Sequence, residues 1–208
     1  MEKVLDVYTR PYNPLRPVVC MDESPKYLIG DIHDPIPMSR GHERKRDYQW
    51  ERLGMCNIFL ANEPLAGFRT VKITQKKCKV DWAEFIREIA DTHYPGARRI
   101  TMVMDNLPTH TMGAFYECYE PAEAKRILDR LEFVYTPKHG SWLNMAEIEL
   151  NVLTSQCLAR RIDTIEKVRE EAKAWEQERN ALTRKINWQF TTQKARIKLK
   201  RLYPSYDA

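Results

Sequence analysis

No stretch of this 208-residue sequence approaches the roughly eighteen consecutive apolar residues that a membrane span needs, so no transmembrane helix is expected. Its start, Met1-Glu2-Lys3-Val4-Leu5-Asp6, lacks the apolar core of a secretory leader. The five cysteines (Cys20, Cys56, Cys78, Cys118 and Cys157) are odd in number, scattered, and never form a CxxC pair. That excludes zinc-finger spacing and a disulfide framework, and makes a reducing cytoplasm the expected home. The patterns GxxxxGK[ST], GxGxxG, HExxH and GxSxG are absent, which sets aside the usual nucleotide hydrolases, dinucleotide enzymes, zinc proteases and serine hydrolases. Internal repeats and low-complexity tracts are absent as well. What remains is 43% hydrophobic and 30% charged, with a mean hydropathy of −0.60, a globular rather than a disordered profile. The length allows one substantial domain or two small ones.

Acidic residues are also missing from one long segment. Between Asn180 and Tyr206 there is none, while Arg184, Lys185, Lys194, Arg196, Lys198, Lys200 and Arg201 supply seven cations, with Trp188 and Phe190 among them. The net charge of +5 is concentrated here. Residues 159–208 hold 13 Lys and Arg against 7 Asp and Glu, leaving the first 158 residues close to neutral. Such asymmetry points to an end that faces nucleic acid; a solvated helix with its lysine stems laid along the surface is the plainer alternative.

Along the chain, Pro17 to Met21 reads as a buried strand, continuous in apolar residues. Pro25 to Asp47 reads as an irregular surface excursion carrying Arg40, His42, Arg44, Lys45 and Arg46, a cluster suited to a polyanion. Strands are expected at Leu53–Ala61 and Phe68–Thr74, joined as a hairpin by the turn from Asn62 to Gly67. A helix capped by Asp81 runs through Trp82, Phe85, Ile86 and Ile89 until His93-Tyr94-Pro95-Gly96. A second buried strand, Ile100–Met104, precedes two helical stretches, about 111–119 and 122–130, split by Pro121. Leu131 to Thr136 is a further strand, and three helices follow: one carrying Glu147, a charged one at about 164–180, and a basic one at about 192–202. The order predicts an α/β fold, a mixed sheet flanked by helices with the first and fourth strands parallel neighbours.

Carboxylates stand where two of the buried runs stop. Val18–Met21 is closed by Asp22 and Glu23, and Ile100–Met104 by Asp105 and Asn106; the later helix carries Glu147 and Glu149. Acidic residues there have no apolar role, and an α/β sheet places its ligand crevice at the carboxyl ends of its strands. Converging carboxylates repel unless a hard cation lies between them. Oxygen-only ligation suits Mg2+ or Mn2+, which also bind phosphate oxygens, so the chemistry indicated is on phosphodiesters. Leu143, Ala146, Leu150 and Leu153 make an apolar stripe that Glu147 and Glu149 both flank, so periodicity does not choose between them. Asn144 and Asn151 share the face of Glu147, where they could orient a carboxylate or meet a phosphate, and so favour it. His110 and His139 are candidates for carboxylate support or phosphate contact. Taken singly, each aspartate is better explained as a strand-end cap and Glu147 as a surface helix residue; their joint placement carries the reading.

Met104-Asp105-Asn106 with His110 four residues beyond, and Tyr135-Thr136-Pro137-Lys138-His139-Gly140-Ser141-Trp142-Leu143-Asn144-Met145-Ala146-Glu147, resemble the catalytic domain of DDE transposases, in the bacterial insertion-sequence branch of the mariner superfamily. Cys20-Met21-Asp22-Glu23, Asp81-Trp82-Ala83, Tyr94-Pro95 and Trp188-Gln189-Phe190-Thr191-Thr192 are similar to that family too, so the likeness runs from about Val18 to Pro204. It implies a ribonuclease-H-like fold with a five-stranded mixed sheet and a catalytic triad of Asp22, Asp105 and Glu147. The triad would hold two Mg2+ or Mn2+ ions for cleavage of DNA and its transfer to a new strand, with Asn106, His110, His139 and Asn144 supporting it or touching DNA. The seven C-terminal cations would grip DNA. The active complex would be a homodimer on DNA in a bacterial cytoplasm. Residues 1–160 would form the catalytic domain and residues 161–208 a basic helical extension on it.

Two features depart from the family. The 41 residues between Asp105 and Glu147 exceed the usual spacing, which a lengthened insertion around Pro121 would explain. The helix-turn-helix region that reads the element's ends has no room before Asp22, and is expected to be lost or encoded separately. The alternatives in other classes are a DNA-binding remnant that no longer turns over, and a sequence-independent nuclease of the same fold.

Overall fold

Alternation of side chains across five strands organises the computed structural model, which describes residues 1–203; Pro204 and the rest of the C-terminal extension lie outside the described residues. The strands are β1 (Val18–Asp31), β2 (Trp50–Glu63), β3 (Phe68–Thr74), β4 (Ile100–Met104) and β5 (Leu131–Tyr135), in the sheet order β3-β2-β1-β4-β5. β1 and β2 pair antiparallel, as do β2 and β3, while β1–β4 and β4–β5 are parallel. This is the mixed, five-stranded α/β sheet flanked by helices that the sequence predicts.

One parity of residues (Val19, Met21, Phe59, Ala61, Ile100, Met102 and Met104) faces α2 (Lys79–Glu88), α3 (Gly113–Cys118) and α4 (Pro121–Leu128). The other parity (Cys20, Ile58, Leu60, Val103 and Val134) faces α1 (Glu2–Tyr8), α5 (Ala146–Leu153), α6 (Ile165–Ala181) and α7 (Thr192–Lys198). Both layers are needed because β4 is buried along its whole length. Pro121 begins α4 at its first turn, where its missing N–H costs nothing. Thr164 and Thr191 cap α6 and α7 through their side-chain oxygens. No helix among the described residues is long and apolar enough to cross a membrane.

Several expectations need correction. α1 was not anticipated: Val4, Leu5 and Val7 are fully buried in the second core, and Glu2 pairs with Arg196 of α7. The N-cap of α2 is Cys78 rather than Asp81; the thiol lies 2.9 Å from the Asp81 carboxylate in the first turn. β1 does not stop at Asp22. It runs on to Asp31 against β2, so the irregular excursion shrinks to residues 32–49, a loop between β1 and β2 that carries the Arg40–Arg46 cluster. Pro25 is tolerated inside this strand because β4 pairs with β1 only as far as Cys20, leaving one edge free of a ladder. That edge is covered by the stretch after α5: Ile29 N–H donates to Ile162 O, and Lys26 Nζ to Leu158 O.

Candidate active site

The site forms where β1 outruns β4. Parallel pairing ends at Cys20↔Val103, and both chains carry an aspartate two residues further on, Asp22 inside β1 and Asp105 directly after β4. Asp22 therefore sits mid-strand, not at a strand end as the sequence suggests, but at the point where its parallel neighbour has left. It shares parity with Cys20, so it faces the layer that holds α5. Asn144 fixes that helix: its Nδ2 donates to Met21 O at 2.8 Å and its Oδ1 accepts from Ala146 N–H at 3.2 Å. The start of α5 is thereby bonded to the strand one residue before Asp22, and Glu147 follows in the first turn, half-buried. Buried and bonded through both its amide nitrogen and its amide oxygen, Asn144 ties the start of the helix to β1.

The two glutamates of α5 part company. Glu149 is 1% exposed and lies between Arg69 of β3 (Nε–Oε2 3.2 Å) and Arg179 of α6 (2.8 Å), a buried structural ion cluster. Arg69 is itself buried and donates to the carbonyls of Gly67, Arg179 and Arg184. Those arginines distinguish the two: Glu149 has charged partners, whereas Glu147 adds to the negative field at Asp22.

Asp22 lies in the electrostatic field of Asp105, Glu147 and Glu23. Burial pushes its carboxyl up to about 7, with those neighbours adding to the rise and a bond from Glu23 N–H (2.8 Å) opposing it. Asp105 touches His110, whose Nδ1 is 2.8 Å from Oδ1. The imidazole is fully enclosed, stacked on Trp82 with centroids 5.3 Å apart, and its Nε2 lies 3.0 Å from Glu23 Oε2. Burial opposes charging of His110, yet the Asp105 and Glu23 carboxylates outweigh it and push the group up to about 9. Glu23 is nearly inaccessible, and its second oxygen is 2.5 Å from Lys77 Nζ. Neither Glu23 nor Lys77 is singled out by sequence reasoning. The available signal was the adjacent pair Asp22-Glu23, because neighbours in a strand face opposite layers and need separate partners.

Asn106 is exposed beyond β4, and His139 is exposed in a left-handed backbone conformation (φ 62°) on the turn before α5. All seven C-terminal cations are exposed, but Arg196 is held by both carboxylate oxygens of Glu2 at 2.8 Å, so it is not free as the local absence of acid suggests. Trp188 and Phe190 are turned inward, against Tyr8 and Trp142. A cleft of about 360 Å³ lined by Asp31, Arg46, Arg161 and Glu171 lies at the other end of β1, roughly 30 Å of strand away from Asp22. It is filled by mutually paired charges and takes no part in this site.

Oxygen-only donors suit a hard cation. Among the described residues, however, no three His, Cys, Asp or Glu side chains close on one point tightly enough to make a ready-formed metal cage. The three carboxylates are near enough to shift Asp22 but more open than the sequence expectation. Mg2+ fits such an arrangement, because it takes one or two carboxylates and completes its shell with water and substrate phosphate.

The family described as DDE superfamily endonuclease matches residues 17–169. No curated protein matches the chain in sequence. Among solved structures, the Mos1 mariner paired end complex with Mn is similar over 88% of this chain and 54% of that one (TM-score 0.57, 16% identity). The Mos1 strand transfer complex is similar over 85% and 51% (TM-score 0.55, 14% identity), and the mariner Mos1 paired end complex with Mg over 84% and 52% (TM-score 0.56, 15% identity). The likeness is one of fold, and the chain spans about half the length of those it matches.

Proposed function

Because the chain belongs to the DDE superfamily endonucleases, we propose that Asp22, Asp105 and Glu147 are its catalytic carboxylates and that it is the catalytic part of a transposase. The observation that carries this reading is the placement of Asp22 where β1 outruns β4, within the field of both other carboxylates. Two divalent ions, Mg2+ or Mn2+, held by these three residues would supply Lewis acidity and activate first water and then a DNA 3′-hydroxyl for in-line attack. The protein's own part is to gather negative charge at one point, to hold α5 against β1 through Asn144, and to fix Asp105 through His110. Asp22 must give up its proton before it can serve as a ligand, so loading would favour pH above about 7.

Asn106, Lys138 and His139 lie exposed on the two loops bordering the carboxylates and would meet the phosphate backbone. Arg184, Lys185, Lys194, Lys198, Lys200 and Arg201 would add a grip that reads no sequence. We assign residues 1–160 to the catalytic unit and residues 161–208 to the extension packed on it. Val168, Ala172, Trp175 and Ala195 join the same core as α1 and α5, which supports that packing. The branch is that of bacterial insertion sequences, acting as a homodimer on DNA in the cytoplasm. Element ends would be read by a helix-turn-helix part outside these 208 residues; this chain matches only 54% and 51% of two Mos1 chains of like fold.

The test is nicking of supercoiled plasmid. The chain should nick in Mg2+ or Mn2+ and not in EDTA, and Asp105→Asn should lose the activity while its circular dichroism and melting stay native. Undiminished metal-dependent nicking by that variant would overturn the assignment.

A further inference from the structure

Glu23 is linked to both aspartates, to Asp22 directly and to Asp105 through His110. Its backbone N–H donates to Asp22 Oδ1 at 2.8 Å, while its side chain crosses to the opposite layer and meets His110 Nε2 at 3.0 Å. The other ring nitrogen of His110 faces Asp105, 2.8 Å from Oδ1 and 3.2 Å from the main-chain carbonyl. Nothing in this path is loose. The Glu23 and His110 side chains are 2% and 0% exposed, Trp82 lies flat against the imidazole, and Tyr135 Oη donates to His110 O at 3.1 Å. Lys77 closes the far end on the remaining Glu23 oxygen.

Resting on the catalytic reading above, we propose that Glu23 is a positioning residue: through His110 it fixes the ring that orients the Asp105 carboxylate, and through its main chain it orients Asp22, so that one residue sets the spacing of both aspartates for divalent metal. A buried carboxylate without such a duty is hard to account for here. Lys77 alone could pair with it at the surface at no cost of burial, and the enclosed imidazole would need no second carboxylate if it only filled space. With Glu23 on Nε2, the ring is held with Nδ1 against Asp105, and carboxylates that ligate a metal are themselves fixed by hydrogen bonds of this kind.

The experiment uses the full chain and Mn2+ alone, read by the electron paramagnetic resonance of free Mn2+ and by metal-free melting. Glu23→Gln keeps the shape and the backbone bond, and should weaken Mn2+ binding about 10–100-fold with little change in melting. His110→Asn retains a donor near the Nδ1 position and should keep more affinity than His110→Ala. Adding Glu23→Gln to His110→Asn should then cost nothing further, because the path is already cut. Wild-type affinity in Glu23→Gln, or additive losses in the double variant, would overturn the inference while leaving the metal reading standing. A wild-type chain that binds no Mn2+, with Asp22→Asn indistinguishable from it, would overturn the metal reading and this inference together. If Glu23→Gln proves unstable, the His110→Asn and His110→Ala pair decides alone: equal affinities would refute the positioning role.

Discussion

Replacing Asp22 with asparagine should stabilise the metal-free protein at pH 8. The carboxyl is raised from 3.8 to about 7 in the folded chain, so the folded state holds a proton that the unfolded state has lost throughout that window. Stability from this group is therefore full below pH 3.8 and is lost as pH rises through about 7. Each tenfold in proton affinity is about 1.4 kcal/mol, which makes ionised Asp22 a burden of about 4 kcal/mol to the folded chain at pH 8. Asparagine keeps an oxygen for the Glu23 N–H and carries no charge, so a gain on the order of 2–4 kcal/mol is expected, or about 4–16 °C in melting temperature for a chain of this size. At pH 5 the folded carboxyl is protonated while the unfolded one is still mostly ionised, so the gap should shrink to about 1–2 kcal/mol. His110, raised to about 9, loses its own contribution as pH rises from 6.5 through 9, but in both proteins, so the comparison between variants isolates Asp22. Melting and urea unfolding in EDTA at both pH values supply the numbers. Adding Mn2+ at pH 8 should then raise wild type by about 3 kcal/mol at a hundredfold excess over its dissociation constant, and leave the variant unmoved. An asparagine variant no more stable than wild type at pH 8, or a gap the same at both pH values, would refute the reasoning.

The two glutamates of α5 should fail in opposite ways. Glu149→Gln strips the buried Arg69 guanidinium of its counter-charge and should cost about 3–5 kcal/mol in urea unfolding, whereas Glu147→Gln should abolish metal-dependent nicking and change stability by less than about 1 kcal/mol; a reversal would mean that the wrong glutamate has been assigned to the site. DNA binding by the chain should show a slope of about −3 to −4 in log affinity against log salt if three or four of the C-terminal cations reach phosphates. Substituting Lys198, Lys200 and Arg201 together with glutamine should flatten that slope, while Arg196→Gln should change it little because Glu2 already holds that side chain; a slope untouched by the triple variant would leave the basic end as an ordinary solvated helix.

How much of this could be read without coordinates follows from how local each feature is. β3, β4 and β5 are visible as short apolar runs with turn residues at their ends, and their observed limits agree with the expected ones to within a residue. β1 is legible only through Met21, because beyond it the side chains turn polar and the extended backbone is dictated by β2, a partner roughly thirty residues away. α1 has too few turns for a periodic pattern; its three buried residues make sense only against α7 at the other end of the chain. The acidic trio is visible because its members border apolar runs. Its supports are not: Glu23 and His110 are 87 residues apart, Arg69 and Glu149 are 80, and Arg196 and Glu2 are 194. A helix flanked by two glutamates cannot declare which is free until the arginine from β3 is in place.

The same discontinuity that creates the site explains why its neighbours are so heavily tied down. Where β4 leaves β1, a strand of alternating parity presents Asp22 to one layer and Glu23 to the other, with no ladder on that side to brace either. The upper layer answers with Asn144, which bonds α5 to Met21 O, and with Glu149, which anchors the next turn of the helix to β3 and α6. The lower layer answers with His110 and Trp82. Burial first, and the neighbouring carboxylates after it, push the Asp22 carboxyl up to about 7, so its ionised form is costly to the fold. A rigid surround is what keeps the carboxylates from splaying apart, and on the catalytic reading proposed above a divalent cation would relieve their repulsion.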